Sequence, residues 1–404
     1  MSTPLPPHAR ILAGDGVIIE DAAVDQLARV ADLPGCCAAV GLPDLHPGRG
    51  IPIGAAFAFH DRIIPALVGG DAGCGVRLIA VAKARFQGDA LLRRVEEATA
   101  GPALPDADPE ALARAAWHEG ARGLADVPGV PDSLADLAAA EEPLDLPAAD
   151  PAGPPPGFGD QLGTAGGGNH FLELARVEGV ADRGAARALG LTAGGLAVLA
   201  HSGSRGLGAA VAERFAGQTL TDPADIAAYL AVLAGACRFA RANRLVLAWR
   251  LLDALGSARA GRLAGQLDLT HNTVIPTTYG DQPVWLHRKG AAPGEGPTVV
   301  LGSRGAPSHV MVGTGTAATL WSVAHGAGRR LARADAVARF QDRCTRASLR
   351  RTPLGGHVIC DDARLLFAEH PDAYKAIEPV VAALEATGAA RRLARLVPLI
   401  TVKR

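Results

Sequence analysis

Asp71 and Cys74 stand three residues apart in Val68-Gly69-Gly70-Asp71-Ala72-Gly73-Cys74-Gly75-Val76, a run with four glycines. Backbone this permissive can turn sharply enough to aim a carboxylate and a thiolate at one point, and the occupant that suits such a pair is a metal ion. A tight turn that merely buries a Cys beside an Asp is the other reading, and an isolated DxxC favours it. Three further segments flanked by Gly, Ser or Asn shift the balance, because each brings an imidazole: Gly166-Gly167-Gly168-Asn169-His170, His201-Ser202-Gly203-Ser204-Arg205-Gly206 and Thr270-His271-Asn272.

A chain of 404 residues with 49% hydrophobic content can bury a continuous core around such a centre, as one large domain or as two to three ordinary ones. The formal net charge of -1 excludes indiscriminate nucleic-acid binding by bulk charge, so an anionic partner must be met by local Arg and Lys clusters. Cys36, Cys37, Cys74, Cys237, Cys344 and Cys360 show no small-domain disulfide spacing, and the Pro-rich start has no apolar signal core. The expectation is a cytoplasmic protein with mostly reduced thiols. No stretch reaches eighteen consecutive apolar residues, so no membrane span is expected.

Along the chain, residues 23–33 read as a short helix, and the Gly- and Pro-dense 40–54 as a loop presenting Asp44, His46 and Arg49. Asp44 and His46 fit a turn cap and its partner as well as they fit groups that orient a ligand. A strand is expected over 77–82. Residues 88–142 are helical in pattern and Ala-rich, and end in a Pro-, Ala- and Gly-dense connection; this segment reads as a cover without chemistry, and His118 beside Trp117 as packing.

The glycine loop 157–168 leads into a strand at Phe171, with Asn169, His170 and Glu173 as its specific residues; it is neither a Walker A nor a dinucleotide fingerprint. A buried strand over 196–200 ends at His201, and Arg205 precedes a helix over 209–216 whose start suits a phosphate. The helical run 224–255 carries Arg238, Arg241, Asn243 and Arg244 about a turn apart, a stripe that serves either as a solvated face or as a contact for RNA or nucleotide phosphate. Strands over 283–290 and 298–301 lead to Gly302-Ser303-Arg304-Gly305-Ala306-Pro307-Ser308, a turn suited to phosphate.

Residues 321–340 are helical in composition, which puts His325 and Arg329 on one face at i and i+4. A nucleophilic His beside a phosphate-binding Arg is one reading, and a packed His beside a surface Arg is the other. A helix is expected over 374–386. The chain ends on an apolar strand, which suggests a buried tail whose Lys403 can reach a site.

Asp71, Cys74, His170, His201 and His271 thus form a mixed thiolate, imidazole and carboxylate set that suits Mn, Zn, Fe or Co, and it exceeds what a closed four-coordinate zinc needs. These segments, with His325-Gly-Ala-Gly-Arg329 and the penultimate Lys403, resemble the RtcB family of RNA ligases, in order from about Leu42 to the C-terminus. The resemblance implies an α+β fold with central β-sheets flanked by helices around a metal-binding cleft. It implies one catalytic domain over 1–404, with a variable segment at about 88–156. It also implies a ligase dependent on GTP and Mn(II), with two ions, that joins RNA 3′-phosphate or 2′,3′-cyclic phosphate ends to 5′-hydroxyl ends.

By the same resemblance Cys74, His170 and His201 would hold one metal, Asp71 would bridge, and His271 would complete the second. His325 would carry GMP, Asn169 would contact the nucleotide phosphate, Glu173, Ser308 and Lys403 would read guanine, and Ser303 would line its pocket. Arg205, Arg244, Arg304 and Arg329 are candidates for phosphate or RNA. Many members carry Met and Tyr where this chain has Arg304 and His309, which implies a different nucleotide or RNA-end pocket. Together with the short chain, Pro43-Asp44-Leu45-His46-Pro47 and His287-Arg288-Lys289-Gly290-Ala291 resemble a shorter bacterial branch coupled to a release-factor-like protein, which implies RNA repair. A metal-dependent phosphodiesterase acting on RNA ends, and a non-catalytic binder of RNA ends, are the alternatives.

Overall fold

Two apolar faces, both buried, set the central sheet. In the strand Gly75–Val81, Val76, Leu78 and Ala80 join one apolar layer while Ile79 and Val81 join the other, as the two-residue period of a strand requires. A computed structural model describes residues 4–82 and 88–404. It places that strand in an eight-stranded sheet ordered Glu295–Val300, Ser308–Thr314, Ala390–Lys403, Phe171–Val180, Leu196–Ser202, Gly75–Val81 and Leu263–Thr270. These neighbours are antiparallel throughout, and His357–Cys360 runs parallel beside the end of Ala390–Lys403. A second, five-stranded sheet is ordered Ala9–Ile11, Cys36–His46, Ile53–Phe59, Gln282–Lys289 and Asn272–Tyr279.

One face of the large sheet is covered by the helix Pro223–Ala254, started by Pro223 in its first turn and by the Asp222 side chain, which accepts from Ala224 N. Asp89–Ala98, Pro109–Glu119 and Asp132–Ala139 pack around it through Leu91, Val95, Leu112, Trp117 and Leu137. By length and composition Pro223–Ala254 could cross a membrane, yet it serves here as the core helix, with Asn243 and Arg244 fully buried in polar contacts. The second sheet packs the helices Asp21–Ala31 and Ile377–Ala386 on its two faces. The fold is α+β, with sheets flanked by helices, as expected.

Two expected elements differ. The loop expected over 40–54 is largely strand, because Cys36–His46 pairs with Ile53–Phe59. Its pairing lapses between Gly41 and His46, where Pro43 sits, so the missing proline N–H leaves no ladder bond broken. The helix expected over 321–340 is a short strand, Ser322–Ala324, then irregular backbone, and only Arg333–Phe340 is helical. Leu320 and Trp321 have φ of 48° and 47°, and Gly328 has φ of 74° where a Cβ would meet the Asp44 carbonyl at 2.4 Å. That close packing outweighs local helix propensity. His325 and Arg329 therefore do not share a helical face.

Candidate active site

Antiparallel pairing gathers the ligand candidates. Phe171–Val180 and Gly75–Val81 begin directly after His170 and Cys74, while Leu196–Ser202 contains His201 near its end and Leu263–Thr270 stops just before His271. Gly75 pairs with both Ser202 and Thr270, and Phe171 pairs with His201, so all four residues reach one edge of the sheet. Asp71 closes the 3₁₀ turn Gly69–Asp71. Gly73, at φ 72°, lets this turn press on the core helix, where a Cβ would lie 2.8 Å from Cys237 Cα. Asn272 then stitches the two sheets, donating to the Asp71 carbonyl at 3.1 Å and accepting from Gly290 N at 2.7 Å.

Cys74 Sγ lies 3.3 Å from His170 Nε2 and 3.6 Å from His201 Nε2, His201 Nε2 lies 3.4 Å from His271 Nε2, and His170 Nε2 lies 3.1 Å from Asp71 Oδ2. Two groups able to hold an ion result, Cys74 with His201 and His271, and Asp71 with Cys74 and His170. The shared atom is therefore the thiol, not Asp71, and His201 groups with His271 rather than with His170. The resemblance implies a different division, with Asp71 as the bridge; the register behind this grouping is that the strand after Cys74 lies between the strand of His201 and the one that ends before His271. Burial, then the neighbouring histidines, hold His201 and His271 well below the usual imidazole range, so both rings are neutral and could offer a lone pair to a metal. Burial and then Asp71 push the Cys74 thiol well up, a direction that a bound cation would reverse. Burial raises the Asp71 carboxyl, but His170 and Lys289 outweigh it and hold it low. Converging lone pairs of S, N and O with so few protons among them fit a borderline divalent metal.

His325 lies beside this cluster, its ring centroid 4.7 Å from that of His271. Its Nδ1 is 2.7 Å from Asp44 Oδ2, a close polar contact too poorly aligned for a hydrogen bond. The same oxygen accepts from His325 N at 3.2 Å and Gly326 N at 3.3 Å. With Nδ1 facing a carboxylate, Nε2 is the nitrogen left for chemistry.

A cavity of about 990 Å³ joins Asp71, Cys74, His201, His271 and His325 to Asn169, Ser303, Arg304, Arg329 and Lys403. Lys403 is buried as the tail reading expects, donating to the His170 carbonyl at 2.9 Å and standing 3.7 Å from Glu369. Glu173 and Ser308 are buried behind the wall: Glu173 accepts from Thr401 Oγ1 at 2.8 Å, and Ser308 Oγ accepts from Gly302 N at 3.1 Å. Arg304 donates to the Leu366 carbonyl at 2.9 Å while its buried Nη1 has no partner. His309 pairs with Glu378 at 3.0 Å and does not line the cavity, so of the two departures only Arg304 reaches it.

The other arginines are corrected by their partners. Arg244 is fully buried, paired with Asp268 at 2.6 Å, and cannot meet RNA. The stripe on its helix is neither a solvated face nor a phosphate contact, because Arg241 pairs with Glu141 and Arg238 donates to the Leu146 carbonyl. Arg205 starts the helix Arg205–Arg214 with φ of 61° and points Nη1 at His170 Nδ1, 3.2 Å away, outside the cavity lining. Arg329 lines the cavity, but its guanidinium donates to Glu369, Tyr374, Ala368 and Leu331. His118 is exposed, while Trp117 packs in the core. Sequence reasoning missed Lys289, which lines the metal side and donates to the Val68 carbonyl at 2.5 Å, as well as Glu369 and Tyr374. It named Asp44, but a cap and a partner for His325 look alike in sequence.

The family model described as tRNA-splicing ligase RtcB matches residues 26–404. The chain is 38% identical to RNA-splicing ligase RtcB2 of Escherichia coli, covering 99% of this chain and 97% of that protein. It is 32% identical to RNA-splicing ligase RtcB of Mycobacterium tuberculosis (94% and 100% covered), and 29% identical to tRNA-splicing ligase RtcB of Archaeoglobus fulgidus (96% and 92% covered). With a match across nearly its whole length, and with the thiol, imidazole and carboxylate cluster in place, the chain belongs to the RtcB family.

Proposed function

We propose that this protein is an RNA ligase, dependent on GTP and Mn(II), that joins RNA 3′-phosphate or 2′,3′-cyclic phosphate ends to 5′-hydroxyl ends through guanylylated His325. The observation that carries this reading is His325 itself, oriented by Asp44 and placed in one cavity with the ligand cluster and Lys403. Two Mn(II) ions held by Cys74 with His201 and His271, and by Asp71 with Cys74 and His170, would supply Lewis-acid stabilisation of phosphate charge and, for cyclic ends, an activated water.

His325 Nε2 attacks the α-phosphorus of GTP, forming a P–N bond as pyrophosphate leaves, while Asp44 keeps the imidazole oriented and balances its gained charge. An RNA 3′-phosphate oxygen then displaces His325 to give RNA(3′)pp(5′)G, and the 5′-hydroxyl oxygen attacks the RNA 3′-phosphorus, expelling GMP. Asn169 serves the nucleotide phosphate; Ser303 and Lys403 line the guanine end, with Arg304 supplying a free donor there, and Glu173 and Ser308 would reach guanine only if the wall in front of them shifts. The free thiols support a cytoplasmic setting, and residues 1–404 act as one catalytic domain.

Substrate ends test the mechanism. Because the 3′-phosphate is the activated group, RNA pairs bearing a 3′-phosphate and a 5′-hydroxyl should be sealed with GTP and Mn(II), and pairs bearing a 3′-hydroxyl and a 5′-phosphate should not. Efficient sealing of the second pair contradicts the proposal, and phosphate release from RNA ends without GTP would favour a phosphodiesterase.

A further inference from the structure

A chain of buried charges runs from the segment 88–156 to the backbone that holds the candidate metal ligands. Glu141 accepts from Arg77 Nη1 at 2.7 Å and Nη2 at 2.6 Å, and from Arg241 Nε at 3.0 Å. Arg77 Nε donates onward to Asp268 Oδ2 at 3.0 Å. Asp268 in turn takes Arg244 on both oxygens, Nε at 3.0 Å and Nη2 at 2.6 Å. The remaining nitrogen, Arg244 Nη1, donates to the Gly73 carbonyl at 2.7 Å and the Ser202 carbonyl at 3.1 Å. Those carbonyls belong to the residue before Cys74 and the residue after His201.

The guanidinium is thus a rigid fork with one edge fixed by a carboxylate and the other spanning two ligand turns. Only an arginine has donors enough, in one plane, to do both. Gly75 leaves room for it, since a Cβ there would lie 3.0 Å from Arg244 Nη1. The adjacent Asn243 donates to the Gly203 carbonyl at 3.1 Å and to Ser202 Oγ at 3.0 Å, so the same turn of helix holds the His201 strand end twice. Buried ion pairs are weak devices for stability, because desolvation offsets their attraction. Three guanidiniums around two carboxylates are a poor way to build a core, and a good way to fix geometry beside a thiolate.

We infer that Arg244, aligned through Asp268, Arg77 and Glu141, is a positioning residue for the metal centre, and that the segment 88–156 takes part in building that centre through Glu141. This rests on the metal-site reading proposed above. The test is titration of the full-length protein with Co(II), following the thiolate-to-cobalt charge-transfer band, for the wild type, Arg244→Lys, Glu141→Gln and Cys74→Ala. Removing groups that orient ligands weakens metal binding about 10–100-fold. Arg244→Lys keeps the charge and loses the fork, so it should bind Co(II) about 10–100-fold more weakly with a shifted band, while its circular dichroism matches the wild type. Glu141→Gln keeps shape and should shift affinity and band in the same direction by less.

Affinity and band unchanged in Arg244→Lys, while Cys74→Ala loses the band, would overturn the positioning role alone. Should Arg244→Lys fail to fold, wild-type binding by Glu141→Gln overturns it. A wild type that binds no Co(II), or a Cys74→Ala that binds like the wild type, removes the metal centre and this inference with it.

Discussion

Two buried carboxylates stand near the cavity, each with one oxygen that has no hydrogen-bond partner. Asp44 accepts from two backbone N–H groups on Oδ2, and the same oxygen faces the His325 imidazole. Glu173 has only the Thr401 hydroxyl on Oε2 and no partner on Oε1, so burial pushes its carboxyl up to about 8, against the opposing pull of Thr401 and Lys403. In the unfolded chain the same group titrates near 4.5. Between those values the folded state holds a proton that the unfolded state has lost, so stability falls as pH rises from about 4.5 to about 8. His46 and His287, both held by burial down to about 4, act oppositely, adding stability as pH rises from about 4 towards 6.5. A comparison isolates Glu173: relative to Glu173→Gln, the wild type should lose thermal stability across pH 5 to 8, measured as Tm against pH. Parallel pH profiles for the two proteins would show that Glu173 is ionised throughout.

At the level of elements, the long helix Pro223–Ala254 organises the site from behind. Cys237, Ala240 and Arg244 meet the Asp71–Cys74 turn, and on the cover side Gly235 receives Trp117. A Cβ on Gly235 would sit 2.3 Å from the indole, which is tethered by Nε1 donating to the Asp150 carbonyl at 3.0 Å. Alanine is the better helix former by about 1 kcal/mol, but overpacking a tight contact costs about 1–3 kcal/mol. Gly235→Ala should therefore lower the urea midpoint, and an unchanged or raised midpoint would mean that the indole moves aside freely. This helix was legible in sequence because its apolar run starts with Asp222-Pro223, and the strands around Val76, Leu199 and Ile400 were legible as short apolar runs. The stretch 321–340 was not, since its Ala and Arg content reads as helix while the packing of Gly328 against Asp44 decides otherwise. Nor was Cys36–His46, where Pro43 sits in a lapse of pairing that only the partner strand reveals.

Over the whole molecule, two sheets turn their ends towards one cleft. The large sheet brings Cys74, His170, His201 and Lys403, the smaller one brings Asp44, Asn272 and Lys289, and His271 lies at the crossing from one to the other. The cluster of Asp71, Cys74, His170, His201 and His271 was readable because each member stands among Gly, Ser or Asn, which permit close approach. Its division around the Cys74 thiol was not readable, because that depends on which strand lies between which. Charged partners were the least legible part: Arg244 and Arg329 look like phosphate arms in sequence, and only the folded chain supplies Asp268 and Glu369 to occupy them. With a net charge of -1, RNA must be met locally, and among the described residues Arg49, Arg330, Arg333 and Arg364 are exposed arginines at the cavity.

In the proposed mechanism His325 carries the nucleotide and does not hold the metal. Incubation with α-labelled GTP and Mn(II), followed by denaturing electrophoresis and elemental analysis, tests it most directly. The wild type should carry covalent label, and His325→Ala should carry none while retaining its Mn(II) and still sealing RNA whose 3′ end is already capped with the guanosine diphosphate linkage. A wild type that joins RNA ends without ever carrying label, or a His325→Ala variant that labels as the wild type does, would contradict the account.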